Sequence, residues 1–219
     1  MLQYRIFRRI SREKIFHRYI LGVYDLYERL TSAFPEVLFE SCASGGGRFD
    51  PGMLYYAPQG WVSDDSDAVE RLKIQYGTSM CYPLSSMGSH VSVIPNHQVF
   101  RNTPLHTRAN VAYFGTFGYE LDLNKLSDAE IEEVKAQIRF MKEYRELLQF
   151  GTFYRLKSPF NGNETVWMVV SEDKSKALVG YYRVLNGVNL PYSCVNYRDW
   201  IRINCMRMNW QIQNIMVMN

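Results

Sequence analysis

The sequence has little cysteine and histidine and contains no long apolar run. The four cysteines, Cys42, Cys81, Cys194 and Cys205, form no CxxC pair and have no regular spacing, so neither a zinc site nor a disulfide framework is predicted. The four histidines share no paired ligand motif such as HExxH. No apolar run approaches the roughly 20 residues of a membrane-spanning helix, and the N-terminal residues lack the apolar stretch of a signal peptide. We therefore expect a globular, cytoplasmic protein without a metal or another cofactor.

The net charge of +3 is concentrated at the two ends of the chain. Residues 1–14 carry +4 and residues 195–219 carry +2, which leaves −3 for the residues between them. Nucleic-acid binding requires basic residues clustered on one folded surface, and this body is mildly acidic. We therefore expect neither a nucleic-acid nor a membrane partner.

The first two thirds of the chain alternate short apolar runs with helical patterns. Helices are predicted at residues 15–33, 53–56, 66–76 and, from a capping box of Ser127 and Glu130, 127–148. Strands are predicted at residues 37–39, just before Trp61, at 78–82 and at 111–114, with a loop over 83–107. This alternation is typical of an α/β fold with parallel strands.

The pattern changes near Gly151. Residues 165–171 and 177–184 are rich in β-branched and aromatic residues and flank the polar turn 172–174, which predicts a β-hairpin without intervening helices. We therefore place a domain boundary there. Residues 15–150 are predicted to form one domain and residues 151–194 a second, antiparallel one.

The stretch from Cys42 to Asp65 concentrates the residue types of a sugar site. Cys42 is followed by a glycine turn that includes Gly45, and Trp61 precedes the carboxylates Asp64 and Asp65. A carboxylate can transfer a proton, an indole can pack on the apolar face of a pyranose, and glycine allows close backbone approach. A phosphate-binding glycine loop is disfavoured, because no GxGxxG and no Lys-Ser/Thr follows.

Several uncommon strings occur in the order found in one known family. They are Cys42-x-x-Gly45-x-x-Arg48, Trp61-x-Ser63-Asp64-Asp65, Ser86-Met87-Gly88-Ser89-His90, Pro95-Asn96-His97-Gln98 and Phe117-Gly118-Tyr119-Glu120-Leu121. With them, residues 15–193 resemble the bacterial α-galactosidases of glycoside hydrolase family 36. The resemblance implies the C-terminal half of a (β/α)8 TIM barrel, followed by an incomplete antiparallel β-sandwich domain.

The resemblance also implies roles for individual residues. Asp64 matches the general acid/base of a retaining α-galactosidase, which acts on melibiose- or raffinose-type oligosaccharides without a cofactor. Cys42 and Gly45 match residues that line the galactose subsite, and Trp61 matches one that packs against the sugar. Asp65 is grouped with the substrate-binding residues, although a supporting acceptor or helix-start role is favoured over catalysis. His90 and His97 receive no role, and intact relatives are expected to be homo-oligomers.

The family's nucleophile lies in a Lys-Trp-Asp segment that these 219 residues do not contain. We therefore expect this chain alone to be inactive, with two unpaired sheet edges and one exposed core face. Residues 1–14 and 195–219 do not resemble the family, yet codons for them can encode family-like strings in a shifted frame. The expectation is that this reading frame is the middle of a frame-disrupted gene, which sequencing the flanking DNA would test.

Two other functions stay open. The first is a non-catalytic carbohydrate-binding or interaction module that keeps half of a sugar subsite. The second is a fragment of a raffinose-synthase-like transglycosylase, for which the sequence shows no identifiable acceptor-site residue.

Overall fold

The computed structural model describes residues 12–186, 188–189, 193–197, 208–210 and 215–218. The helices are α1 (Arg12–Ala33), α2 (Pro51–Tyr56), α3 (Ala68–Thr78), α4 (Leu105–Ala112) and α5 (Asp128–Phe150). The strands are β1 (Glu40–Ser41), β2 (Gln59–Gly60), β3 (Gly88–Ser92), β4 (Thr116–Glu120), β5 (Thr152–Lys157), β6 (Glu164–Val170), β7 (Ala177–Arg183), β8 (Met208–Trp210) and β9 (Ile215–Met218). The chain therefore begins with alternating helices and strands and ends with strands alone.

The first four strands run parallel to one another, as the sequence pattern predicts. β1 pairs with β2 and β3 pairs with β4, and a single parallel bridge from Gly60 to Met87 connects the two pairs. The four strands with their helices form the C-terminal half of a (β/α)8 barrel. Among the described residues no strand pairs with the outer edge of β1 or of β4.

The remaining strands form an antiparallel sheet in the order β5-β6-β7-β9-β8. The predicted hairpin is confirmed as β6 and β7, which pair from Glu164 with Arg183 to Val170 with Ala177. Strand β6 is apolar on both faces. Trp167 and Val169 pack on the core of the half-barrel, and Val166, Met168 and Val170 pack in a smaller separate cluster. The antiparallel sheet is thus held directly against the helices of the first domain.

One continuous core joins the two domains. The Trp167 ring is fully buried and lies 5.3 Å from the Phe114 ring, at 67° between the planes. The Tyr182 hydroxyl donates a 2.7 Å hydrogen bond to the backbone oxygen of Asn110, which lies in α4. Aromatic burial and edge-to-face contact of this kind stabilise an interface beyond its area. The helix α4, close to the barrel strands, is therefore fixed by the second domain.

Two strand predictions fail at the surface. Residues 37–39 are irregular, with Leu38 89% exposed, and the strand begins one residue later at β1. Residues 78–82 are not a strand either, because the amides of Cys81 and Tyr82 both donate to the Thr78 oxygen and close turns at the end of α3. Within the residues that the structure describes, neither segment is part of a sheet.

A third predicted strand, residues 111–114, is the end of the buried helix α4 and the turn after it. Short apolar runs do not distinguish a buried strand from a buried helix, which explains this error. The predicted loop over residues 83–107 contains β3, whose sequence Gly-Ser-His-Val-Ser offers little apolar signal, and the start of α4. The four predicted helices are confirmed to within a few residues at each end, including the capping box of Ser127.

None of the helices within residues 12–186 combines the length and the apolar character that a membrane span requires. The expectations for residues 1–14 and 195–219 fall largely on residues outside those that the structure describes. They stay predictions.

A charged network stabilises the start of the hairpin. The Glu164 carboxylate lies 2.6 Å from both Lys157 Nζ and Arg183 Nη2, and it accepts hydrogen bonds from the hydroxyls of Tyr181 and Ser193. These contacts, with Lys157 the largest contributor, hold the pKa of Glu164 well below its ordinary value. Because the folded-state pKa is depressed, the stabilisation is present above the ordinary carboxyl pKa and is lost as the pH falls.

We expect Glu164→Gln to lower the free energy of unfolding by about 1 to 2 kcal/mol at pH 7, through weaker charge-assisted hydrogen bonds. The difference from the unmodified chain should shrink below about pH 4, because Glu164 of the unfolded chain then takes up a proton that the folded state does not bind, whereas the glutamine does not titrate. Urea unfolding at several pH values measures it. Glu172→Gln, on the exposed turn of the same hairpin, is the control. An equal loss in both variants, or a loss independent of pH, would contradict the prediction.

Candidate active site

The predicted site residues follow the carboxyl ends of two neighbouring parallel strands. Ser41 of β1 is in register with Gly60 of β2, and Cys42 and Trp61 come directly after them. The Trp61 amide donates a 2.9 Å hydrogen bond to the Ser41 oxygen, which continues the ladder by one residue. In (β/α)8 enzymes this end of the barrel carries the active site.

The glycine turn packs directly against the acidic segment. Gly45 has φ +70°, and a Cβ there would lie 2.5 Å from the Asp64 nitrogen and 2.8 Å from the Ser63 Cα. Gly46 has φ +98°, and its Cβ would lie 3.1 Å from the Val62 oxygen. Both positions need glycine, because the left-handed conformation and the missing space each disfavour a side chain. The structure thus brings Gly45 and Asp64 into backbone contact.

Cys42 is an exposed free thiol on the other arm of this turn. Its carbonyl oxygen accepts a 3.1 Å hydrogen bond from Arg48 Nη2, and Arg48 Nη1 lies 3.4 Å from the Tyr19 hydroxyl of α1. The arginine of the Cys-x-x-Gly-x-x-Arg motif therefore connects the last residue of the turn to the first, and it also connects the turn to α1.

Three carboxylates follow Trp61, and two of them are committed to the backbone. Asp67 caps α3 by accepting hydrogen bonds from the amides of Val69 and Glu70 at 3.0 and 3.1 Å. Asp65 is partly buried and accepts a 3.0 Å hydrogen bond from the Asp67 amide, which is the predicted helix-start contact.

Asp64, in contrast, is exposed, and its carboxylate makes no hydrogen bond within the part of the chain that the structure describes. Its oxygens are therefore available to a substrate, and a carboxyl group so placed can donate or accept a proton.

Trp61 is packed from several sides. A Cβ on Gly88 of β3 would lie 2.7 Å from the indole Cε3, so glycine makes room for the ring. The His90 ring lies 4.6 Å from the indole, tilted by 36°, and the Arg71 guanidinium lies 4.3 Å from the ring centroid. These contacts hold the indole in place at the strand ends, while it stays partly exposed.

His90 is a site neighbour to which the sequence assigned no role. Its Nδ1 lies 3.9 Å from the Glu120 carboxylate of β4. Burial lowers the pKa of His90, while the negative charges of Glu120 and Glu40 act in the opposite direction. The net lowering of the pKa favours the neutral imidazole, which suits a ring packed against an indole.

Arg71 was also missed. It lies in α3 on the same face as Ala68, Leu72 and Gln75, and all four are buried. The signal in the sequence is the pair Arg71 and Gln75, two polar residues one turn apart on the apolar face of an amphipathic helix.

Within residues 12–186, 188–189 and 193–197, no group of three or more His, Cys, Asp or Glu side chains is arranged to hold a metal ion. The groups that the structure brings together at this site include the Asp64 carboxyl, the Trp61 ring and the backbone of the glycine turn.

Comparison with known proteins identifies two family models in this chain. Residues 3–151 match the melibiase family, and residues 164–199 match the C-terminal domain of glycosyl hydrolase family 36. The two matches thus extend beyond the expected limits of the resemblance, to residue 3 at one end and residue 199 at the other. Alpha-galactosidase AgaA of Geobacillus stearothermophilus is 62% identical over 177 residues, 81% of this chain and 24% of that protein. Alpha-galactosidase 1 of Pediococcus pentosaceus is 55% identical over 166 residues, 76% of this chain and 23% of that protein.

Solved structures show the same relationship. The crystal structure of AgaA superposes with a TM-score of 0.85 at 55% identity, covering 91% of this chain and 28% of AgaA. The α-galactosidase of Lactobacillus brevis superposes with a TM-score of 0.85 at 52% identity, covering 94% of this chain and 29% of that one. This chain thus spans about a quarter of the length of the curated relatives. It belongs to the melibiase family, and it corresponds to the C-terminal part of the family 36 barrel and the start of the following β-sandwich.

Proposed function

We propose that this chain carries the proton-transfer half of a retaining α-galactosidase site, with Asp64 as the general acid/base. The observation that supports this most is the difference among three neighbouring carboxylates. Asp65 and Asp67 are held by backbone amides, whereas Asp64 is exposed and uncommitted. It lies at the strand ends with Trp61 and Cys42, where a sugar ring would meet an aromatic wall and a small side chain.

The reaction takes two steps. In the first, a second carboxylate attacks the anomeric carbon while Asp64 gives its proton to the departing glycosidic oxygen, which leaves as an alcohol. In the second, Asp64 takes a proton from water as the water oxygen displaces the carboxylate and releases galactose with its configuration retained. The two carboxyl groups should stand about 5 to 5.5 Å apart. No Lys-Trp-Asp segment in these 219 residues supplies the second carboxylate.

The proposed substrate class is an oligosaccharide that ends in an α-linked galactose. Variants of the relative AgaA have been crystallised with raffinose and with stachyose, and another with 1-deoxygalactonojirimycin. The two motifs that contain Cys42 with Gly45 and Trp61 with Asp64 support the same substrate class for the present chain. In this proposal Cys42 and Gly45 border the galactose subsite and Trp61 forms its wall. Asp65, next to Asp64, helps to fix the acidic segment through its hydrogen bond with the Asp67 amide.

The test is a domain exchange. We expect the 219-residue chain alone to release no nitrophenol from p-nitrophenyl α-galactoside, because a proton donor without its nucleophile retains little transition-state stabilisation. A chimera, in which the region of AgaA that matches this chain is replaced by the matching residues of this chain, should hydrolyse the same substrate and raffinose. Proton NMR of the first-formed product should show α-galactose, the sign of retention.

Other outcomes would favour the other functions. A folded chimera that binds galactose in calorimetry without hydrolysing any galactoside would favour a carbohydrate-binding module. Transfer of galactose to sugar acceptors in preference to water would favour a transglycosylase. Turnover by the chain alone would contradict the half-site proposal.

We also infer a cytoplasmic location for this chain. Cys42, Cys81 and Cys194 are free thiols, as a reducing compartment favours. Cell fractionation tests this, and homo-oligomerisation of intact relatives stays a prediction.

A further inference from the structure

Arg71 is a buried cation that the proposed reaction does not use. Its side chain is only 2% exposed, and it forms no salt bridge with the residues that the structure describes. Burial lowers the pKa of this guanidinium to about 10, against the opposing charges of Glu120 and Asp65. A buried cation without a directly paired anion costs free energy, and a well-packed apolar residue could often replace it without loss. Its presence in the core of α3 therefore calls for a contact that an apolar side chain could not make.

That contact joins two strand ends. Nη1 of Arg71 donates to the Gly88 oxygen at the start of β3, and Nη2 donates to the Ser63 oxygen, each at 3.4 Å. The guanidinium also lies 4.3 Å from the Trp61 ring centroid, in the range of a cation–π contact. A planar fork can reach two carbonyl oxygens at once, which a lysine ammonium does not do with the same geometry.

The Ser63 oxygen belongs to the peptide that leads directly into Asp64. Gly45 packs against this peptide, since a Cβ there would lie 2.5 Å from the Asp64 nitrogen. Arg71 binds the Ser63 oxygen of the same peptide and contacts the Trp61 ring. The backbone of the acidic segment is thus contacted by both the glycine turn and a buried guanidinium.

We propose that Arg71 is a positioning residue, which fixes the Asp64 carboxyl relative to β2 and β3 through the Ser63 carbonyl and the Trp61 ring. The catalytic consequence of this inference rests on the proposed function. The positioning itself does not, because it is measured on the full 219-residue chain without substrate.

Hydrogen–deuterium exchange measures the positioning directly. The Trp61 amide is bonded to the Ser41 oxygen and the Asp65 amide to Ser63 Oγ, so peptides over residues 61–67 report the order of the segment. In Arg71→Lys and Arg71→Met we expect these peptides to exchange about tenfold faster, with α5 unchanged.

Arg108→Lys is the matched control. Arg108 is also buried, at 4% exposure, and its guanidinium donates to the backbone oxygens of Thr103 and Ser92 instead. Faster exchange in that variant should appear around residues 92–103 and not over 61–67. Exchange over 61–67 within about twofold of the unmodified chain in both Arg71 variants would overturn the inference. So would acceleration spread evenly over all peptides, or an equal effect of Arg108→Lys at 61–67.

The chimera supplies the catalytic readout. A misplaced proton donor should lower kcat/KM for phenyl α-galactoside, which needs protonation, far more than for dinitrophenyl α-galactoside, which does not. We expect Arg71→Lys to change the ratio of the two kcat/KM values about tenfold, in the same direction as Asp64→Asn. A fall in the amount of folded enzyme would leave that ratio unmoved. If Asp64→Asn leaves the ratio unchanged, the proposed function fails. If Asp64→Asn shifts it and Arg71→Lys does not, the inference about Arg71 alone fails.

Discussion

Replacing Asp64 by asparagine in the AgaA chimera is expected to lower kcat/KM for raffinose about a thousandfold, since positioned acid/base catalysis contributes roughly 10² to 10⁴. That loss corresponds to about 4 kcal/mol of transition-state stabilisation. The amide has nearly the shape of the carboxyl, so binding and fold are preserved while proton transfer is lost. Because Asp64 is exposed and forms no hydrogen bond within the described part of the chain, its replacement leaves no protein group unpaired.

Leaving-group dependence distinguishes this loss from a general one. A dinitrophenolate departs without a proton, so kcat/KM for dinitrophenyl α-galactoside should fall less than tenfold in the Asp64→Asn chimera. Added azide needs no general base, so it should accelerate the second step and give α-galactosyl azide. Asp65→Asn is the matched control: its amide oxygen still accepts the Asp67 N–H, and we expect less than a tenfold effect on raffinose. Equal losses in the two variants, or no leaving-group dependence, would remove Asp64 from the role of general acid.

Gly45→Ala is expected to have the largest effect on stability and site geometry, about 3 kcal/mol or more in the free energy of unfolding. The left-handed φ of +70° is unfavourable for alanine, at about 1 to 2 kcal/mol. In addition, the new Cβ would lie 2.5 Å from the Asp64 nitrogen, a backbone atom that cannot rotate away. The turn and the acidic segment must therefore separate, and the chimera should lose most of its activity with its stability.

Gly77→Ala is the control for this substitution. Gly77 lies in α3, where a Cβ would meet no atom within 4 Å. Alanine is favoured over glycine in a helix, so this variant should gain about 0.5 to 1 kcal/mol. Urea unfolding of both variants, with kcat/KM of the corresponding chimeras, measures the contrast. A Gly45→Ala protein of unchanged stability would show that the turn does not press on Asp64 as the structure indicates.

Elements with strong local signals were predictable from the sequence. Helix α5 begins at its capping box of Ser127 and Glu130, and the hairpin of β6 and β7 follows β-branched residues on either side of a polar turn. In these cases neighbouring residues supply most of the information, through hydrogen bonds three residues apart or pairing across a short turn.

Elements whose structure depends on distant neighbours were not predictable. β3 is a strand because it lies beside β4 and meets β2 through Met87, although its own residues are mostly small and polar. Residues 111–112 end helix α4 and residues 113–114 form the turn after it, because buried apolar groups surround them, including Trp167 of the second domain.

The same division applies to the site. By itself, the sequence determined the family, the alternation of helices and strands, and the short segment in which we propose the chemistry, because these depend on residue types at close spacing. The sequence already favoured a helix-start role for Asp65, but only the tertiary structure decided that Asp64 is uncommitted and that the Arg71 guanidinium of α3 lies against the Trp61 ring. Whether a carboxylate or a guanidinium is free depends on the donors and acceptors that packing brings to it from other parts of the chain. Spacing along the sequence can place Arg71 on the apolar face of α3, but it does not specify which carbonyl oxygens the guanidinium meets.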